Sequence, residues 1–390
     1  MHQIILALAC CITAAAQAAP YIPTNGQQVV ENVPRRGDPV QQELRRLRSE
    51  LHASPNDITL ATTIARRYIA LARSETDPRY LGYAQAALAP WWSQTAPPPA
   101  VRLLRATLLQ STHQFTPALA DLKAVLEAEP RNVQAWLTQA TVQTVQGDYT
   151  GATASCARVS SLSIELVAIT CIANIGTVTG KAERSEQLLD LTTERSPNAP
   201  VELQVWAMTL LAEMAQRRGD SATAETRYRR ALSLQPRDSY LQGAYADFLL
   251  EQGRAAEVLT LLRDQSRIDA LLLRRALALQ QAGQSSALQA DIKELAARFD
   301  AAAQRGDTVH QREQARFELL LRHDANAALA LARKNWAVQK EPADIRIYLE
   351  AAAQARDTAA AKPVLDWVNQ HHTEDAMAAR LIRQLKVGTS

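Results

Sequence analysis

Apolar and polar positions follow the period of a helix along most of this chain, and the helical pattern itself repeats. Between residues 99 and 272, small and apolar residues return about every 34 positions. Alanines mark the phase: Ala106, Ala140, Ala173, Ala212, Ala246 and Ala276, spaced 34, 33, 39, 34 and 30 apart. The long interval holds five extra residues around Pro200, and the short one reflects a curtailed second helix near Arg263 to Asp269. In the segment from Val133, residues Trp136, Ala140, Gly147, Tyr149, Ala152, Cys156 and Val159 fall at repeat positions 4, 8, 15, 17, 20, 24 and 27. Small residues at positions 8 and 20 let two helices touch closely; a large side chain there would push them apart. Gly147, Gly180, Gly219, Gly253 and Gly283 recur at the turn, where a left-handed residue ends the first helix. Pro130, Pro197 and Pro236 stop the second, since proline cannot continue it. No run alternates like a strand.

This register resembles the tetratricopeptide repeat, a helix–turn–helix unit of 34 residues. The resemblance implies an all-α fold: a right-handed superhelical solenoid of antiparallel helix pairs, about eight units in all. Weaker units flank the array. Asp57 to Trp92 reads as two helices packed through Ala65, Tyr68 and Ala84. His310 to Trp336 and Ile345 to Gln370 read as later units, and Thr373 to Leu385 as a lone amphipathic helix placed to cover the last apolar face. The expected organisation is a signal peptide over 1–18, an extended segment over 19–38, the solenoid over 39–372, and a capping helix and tail over 373–390. Composition agrees: the chain is 47% hydrophobic but only 5% aromatic, as close-packed helix pairs require.

Ile4 to Ala16 is apolar, too short to span a bilayer, and followed by the small-x-small pattern Ala16-Gln17-Ala18. No Lys or Arg precedes it, but the pattern reads as a secretory leader, so the expected location is the periplasm. The alternative is an apolar N-terminal helix. Neither Cys10 nor Cys11 follows the Leu-small-small run that lipid anchoring needs. Cleavage leaves Cys156, in the second helix of one unit, and Cys171, in the first helix of the next. Each stands about eight residues, or about 12 Å, from the bend between them, so antiparallel helices bring them level. In an oxidising compartment they form a disulfide; otherwise they are two buried thiols.

A solenoid of this kind offers its concave face, lined by the first helix of each unit at positions 2, 5, 9, 12 and 13. The candidate groove residues are Arg66, Thr141, Trp206, Glu213, Arg217, Tyr240 and Asp247. Polar residues with aromatic anchors suit a protein or peptide partner; the alternative is a solvated face with no ligand. A second concentration of anchors, Arg66, Arg67, Tyr68, Asp77, Arg79, Tyr80, Tyr83, Trp91 and Trp92, is either a surface or the core of an atypical end repeat.

Catalytic signals are faint. Asp307, His310 and Glu313 are three apart, so a helix would gather them on one face as a metal or acid–base site. His371, His372, Glu374 and Asp375 form a similar group. There is no phosphate loop, no nucleophile elbow and no Cys-x-x-Cys, and no cofactor or resident metal is expected. A net charge of +3, with 43 basic and 40 acidic residues dispersed along 390, argues against nucleic acid.

The stretches Asp77-Pro78-Arg79-Tyr80-Leu81-Gly82-Tyr83-Ala84-Gln85-Ala86-Ala87, Tyr245-Ala246-Asp247-Phe248-Leu249-Leu250 and Asn335-Trp336-Ala337-Val338-Gln339-Lys340-Glu341-Pro342 resemble those of exported tetratricopeptide proteins of Gram-negative bacteria. The resemblance implies a periplasmic solenoid and transfers no activity. The expected function is a non-catalytic scaffold or adaptor binding a protein partner in the groove. The alternatives are a structural part of an envelope assembly for polysaccharide or pilus biogenesis and, more distantly, a metal carrier or enzyme.

Overall fold

A computed structural model of the chain describes residues 38–75 and 77–387. The leader, the extended arm, Cys10 and Cys11 lie outside the described residues, as does the tail beyond 387. The chain divides into two compact units, Met1–Glu50 and Leu51–Ser390. The described part of the first begins α1 (Pro39–Ala53), which is started by the Asp38 carboxylate accepting the Val40 N–H at 2.8 Å. Its buried positions are Leu44 and Leu47.

Among its described residues, every regular element of the second unit is a helix. Its helices fall into nine antiparallel pairs, close to the eight units expected. The first pair is α2 (Ile58–Ser74) with α3 (Arg79–Ala87), extended by the short α4 (Ala89–Trp92). Then follow α5 (Pro99–Ser111) with α6 (Phe115–Ala128), α7 (Val133–Gln146) with α8 (Tyr149–Ser160), and α9 (Glu165–Gly176) with α10 (Ala182–Glu194). Next come α11 (Val201–Arg218) with α12 (Ser221–Leu234), α13 (Ser239–Glu251) with α14 (Ala255–Leu261), and α15 (Asp269–Gln281) with α16 (Ser285–Gln304). The last pairs are α17 (Gln311–Leu320) with α18 (Ala325–Trp336) and α19 (Pro342–Gln354) with α20 (Lys362–His371), and α21 (Ala376–Val387) packs on α19. The first helix of each pair also touches the first helix of the next, so α2, α5, α7 and their successors line one continuous face.

The repeat residues explain these pairs. All six phase-marking alanines are buried, none more than 2% exposed, as are Ala118, Ala152, Ala224 and Ala328 on the second helices. Helices start where a short polar side chain can accept an orphan N–H. Asp57, Asn132, Asp148, Asp220, Asp238 and Asp324 each bond the backbone nitrogen three residues on, worth about 1 kcal/mol apiece. Gly147 (φ 81°) and Gly219 (φ 84°) end α7 and α11 in the left-handed region, which a Cβ would resist. Within a pair, a polar tie recurs at a spacing of 16. Arg105 grips Asp121, Gln139 meets Ser155 at 3.1 Å, and Arg275 grips Asp291.

Cys156 and Cys171 are joined by a disulfide with Cα atoms 5.7 Å apart, crossing from α8 to α9 in a cluster with Ala140, Tyr149 and Ile175. The first-unit aromatics form a core: Tyr68, Tyr80 and Tyr83 stack within about 6 Å of one another, and Tyr68, Tyr80 and Trp91 are buried. Arg79 pairs locally with Asp77.

Two faint candidate clusters do not assemble. Asp307, His310 and Glu313 do not share a helical face, because α17 begins only at Gln311. Asp307 instead accepts the Val309 N–H at 2.9 Å, turning the chain before the helix. The His371 group also disperses. Asp375 accepts the Ala378 N–H at the start of α21, Glu374 accepts the Ala182 N–H on a distant repeat, and His372 adopts φ 52°. Among the described residues no His, Cys, Asp and Glu group is placed to hold a metal.

Candidate partner-binding groove

The solenoid curves enough for inner side chains from non-adjacent repeats to meet. Arg316 of α17 reaches Asp247 of α13 at 2.8 Å, with Arg274 of α15 bonding the same carboxylate at 2.5 Å between them. Arg346 of α19 pairs with Glu251 of α13. Further round, α21 packs on α11, and Gln339 lies 3.1 Å from the His113 ring in the α5–α6 turn. The late repeats therefore face the middle ones across the concave side.

One wall of the resulting channel is built by α11 and α13. Trp206 and Glu213 are seven apart and Arg217 four further on, so α11 presents them as one stripe; Tyr240, Asp247 and Glu251 form the same stripe on α13. The Tyr240 hydroxyl donates to Glu213 Oε1 at 2.7 Å. Arg217 donates to Thr177 Oγ1 at 2.5 Å. The aromatic rings remain open to water: Trp206 is 36% and Tyr240 65% exposed.

The facing wall comes from α17 and the α18–α19 loop. Arg312 Nη1 donates to Glu341 Oε2 at 2.8 Å and lies 3.3 Å from Asp344 Oδ1. Asp344 closes a capping box at the start of α19 and accepts Asn335 Nδ2 at 2.7 Å. Burial pushes its carboxyl up to about 6, against the pull of Arg312.

The two walls are close enough to feel each other's charge. Glu213 is raised by its confinement, against Arg217, with Glu341 across the channel adding to the rise. The Tyr240 phenol is pushed well above its usual range, first by Glu213, then by confinement and by Glu341. Tyr240 thus has a ring that meets water and a hydroxyl held in an electrostatically crowded space.

The structure sorts the candidate groove residues. Trp206, Glu213, Arg217 and Tyr240 share one wall. Arg66 and Thr141 are exposed on α2 and α7, and the contacts that build the Glu213 wall come from other residues. Asp247 is a correction: it is no open groove residue but the shared anion of Arg274 and Arg316. Burial works to raise its carboxyl, and the two guanidiniums outweigh that and hold it far below the usual carboxylate range. Its inward register position is right, yet curvature brings arginines from two later repeats onto it. Sequence reasoning missed Arg312, Glu341 and Gln339 as groove residues, because their partners come from repeats it had no means of placing opposite them.

A family model described as tetratricopeptide repeat matches residues 174–289, which run from α9 into α16. Comparison with curated protein sequences finds no match. Among solved structures the chain is similar to one in the APC/C hetero-tetramer Cut9–Hcn1, with a TM-score of 0.50 and 11% identity, covering 89% of this chain and 66% of that one. It is also similar to the human IFIT1 dimer with m7Gppp-AAAA (TM-score 0.48, 11% identity, 85% and 86% covered). A tetratricopeptide repeat protein from Parabacteroides merdae is similar at a TM-score of 0.36 and 15% identity, with 74% and 98% covered. At these identities the likeness concerns the fold alone. The repeat register is realised as stacked helix pairs, and residues 174–289 in its middle match the tetratricopeptide repeat family.

Proposed function

We propose that this protein is an exported, non-catalytic scaffold that holds an extended segment of a protein partner in the channel between α11–α13 and α17–α19. The observation that carries the reading is the exposure of Trp206 and Tyr240 on a wall whose other side chains are tightly paired. Large aromatic surfaces left in water beside fixed charges are typical interface anchors. The surrounding Arg–carboxylate pairs supply a polar rim that positions a backbone without competing for those rings. Export to the periplasm is motivated by the apolar leader ahead of the array and by the Cys156–Cys171 pair, which suits an oxidising compartment.

The test is crosslinking of the tagged chain in intact cells after fractionation, with mass spectrometry of what is captured by wild type, Trp206→Ala and Tyr240→Ala. One or two partners enriched by wild type and reduced about tenfold by either substitution are expected, as for loss of an interface anchor. Equal capture by all three chains would remove the groove from the reading. Recovery of the chain in the cytoplasm with its leader intact would remove export.

A further inference from the structure

Glu213 and Asp247 stand at the same place in consecutive repeats. Each directly follows the buried alanine of its first helix, Ala212 or Ala246, and each faces the channel. The fold treats the two carboxylates differently. Asp247 receives Arg274 from the next first helix, α15, and Arg316 from α17 across the channel. Glu213 receives the Tyr240 hydroxyl from its own next first helix, α13, and among the described residues it enters no ion pair.

The difference can be traced to single residues. Arg274 lies two positions before the buried alanine of its repeat, Ala276; the same position on α13 holds Ala244, whose methyl group brings no charge. Across from Asp247 stands Arg316, whereas the opposite wall turns Glu341, a like charge, towards Glu213. The guanidinium on that wall, Arg312, is already engaged: it lies 2.8 Å from Glu341, 3.3 Å from Asp344 and 3.5 Å from Glu313. Arg217, about one turn along α11 from Glu213, donates from Nη2 to Thr177 and keeps a buried Nε without an acceptor, so no bond joins it to Glu213.

This part of the channel therefore holds four carboxylates, Glu213, Glu313, Glu341 and Asp344, against the two guanidiniums of Arg312 and Arg217. The negative surplus sits beside an aromatic face that meets water, since Tyr240 is 65% exposed while its hydroxyl is held. A carboxylate with no cation of its own next to an open ring suits a guanidinium. The acid takes its fork of N–H groups, and the ring takes its flat face.

We propose that Glu213 receives an arginine side chain of the extended partner segment, whose guanidinium fills the role that Arg274 and Arg316 fill at Asp247 and lies against the Tyr240 ring. The proposal rests on the groove reading above and adds to it the chemistry of the occupant.

Selection of a randomised peptide display library on the purified full chain tests it. Peptides enriched on the wild-type chain should carry an arginine at one fixed position. For a synthetic copy of such a peptide, Glu213→Gln should weaken binding about tenfold, as for loss of a hydrogen-bonded charge pair. Citrulline in place of the peptide arginine should weaken it equally without any change to the protein, and the two changes together should cost no more than either alone. Lysine should recover part of the affinity, because it cannot offer two parallel bonds to the carboxylate. An arginine preference unchanged by Glu213→Gln, or losses that add in full, overturn the proposal. The groove reading fails separately. Enriched peptides that lack a fixed arginine but are lost on Trp206→Ala overturn the arginine site and leave the groove standing. No enrichment, or enrichment that Trp206→Ala leaves unchanged, overturns both.

Discussion

Asp247 and Tyr240 occupy equivalent-looking inward positions on one helix, seven residues apart, yet the fold gives them opposite tasks. Two arginines from later repeats converge on Asp247, and its side chain is 24% exposed. Tyr240 keeps its ring in water. The inward direction of both was legible from the repeat register, since helical spacing alone determines it. Which of them is free was not, because Arg274 and Arg316 lie 27 and 69 residues further along the chain. Asp247→Ala should leave two guanidiniums facing each other without their anion. A loss of about 2–3 kcal/mol is expected in chemical denaturation, less than the roughly 3–5 kcal/mol for breaking a fully buried pair because this one is partly wet. A stability equal to wild type would show that the pairs are incidental.

At the scale of elements, the turn glycines separate local from tertiary demands. Gly147 and Gly219 share the same left-handed conformation at the end of a first helix. Around Gly219 a Cβ would meet nothing within 4 Å, whereas at Gly147 it would stand 2.5 Å from the Trp367 ring. Gly219→Ala should cost about 1 kcal/mol, the backbone penalty alone. Gly147→Ala should cost more and should expose the Trp367 ring, readable as a shift in tryptophan fluorescence. Equal costs with no fluorescence change would argue that the Trp367 contact does not form at Gly147. The sequence shows a glycine at the turn in both repeats, and the helix end accounts for it; the second reason at Gly147 comes from residues more than 200 positions away. The Arg105–Asp121 and Arg275–Asp291 ties, by contrast, recur at one spacing in register and were open to being read.

For the molecule as a whole, α21 is more than a cap. Its Ala378, Leu381 and Leu385 cover the apolar face of α19, as a terminal helix of a solenoid should, while the helix also stands against α11. A chain ending at His372 would uncover that face and lose Glu374 from the start of α10. Burial of each leucine is worth about 2 kcal/mol, so the last repeats should lose roughly 4 kcal/mol from these two alone. Limited proteolysis should then cut first within α19–α20 while α5–α16 persist, since repeat arrays lose structure locally. Uniform resistance to protease would mean that α21 contributes little to the last repeats.

Helix pairs, their spacing, their buried small residues and their polar starts follow from the sequence by itself. Each depends on residues within one repeat, and the periodic pattern states them directly. Closure of the late repeats onto the middle ones belongs to the tertiary structure. Small rotations accumulate from repeat to repeat until Glu374 meets Ala182, 192 residues away, and no local pattern encodes that sum. The same accumulated curvature decides which inward side chains are consumed in ion pairs and which, like Trp206 and Tyr240, remain open to a partner.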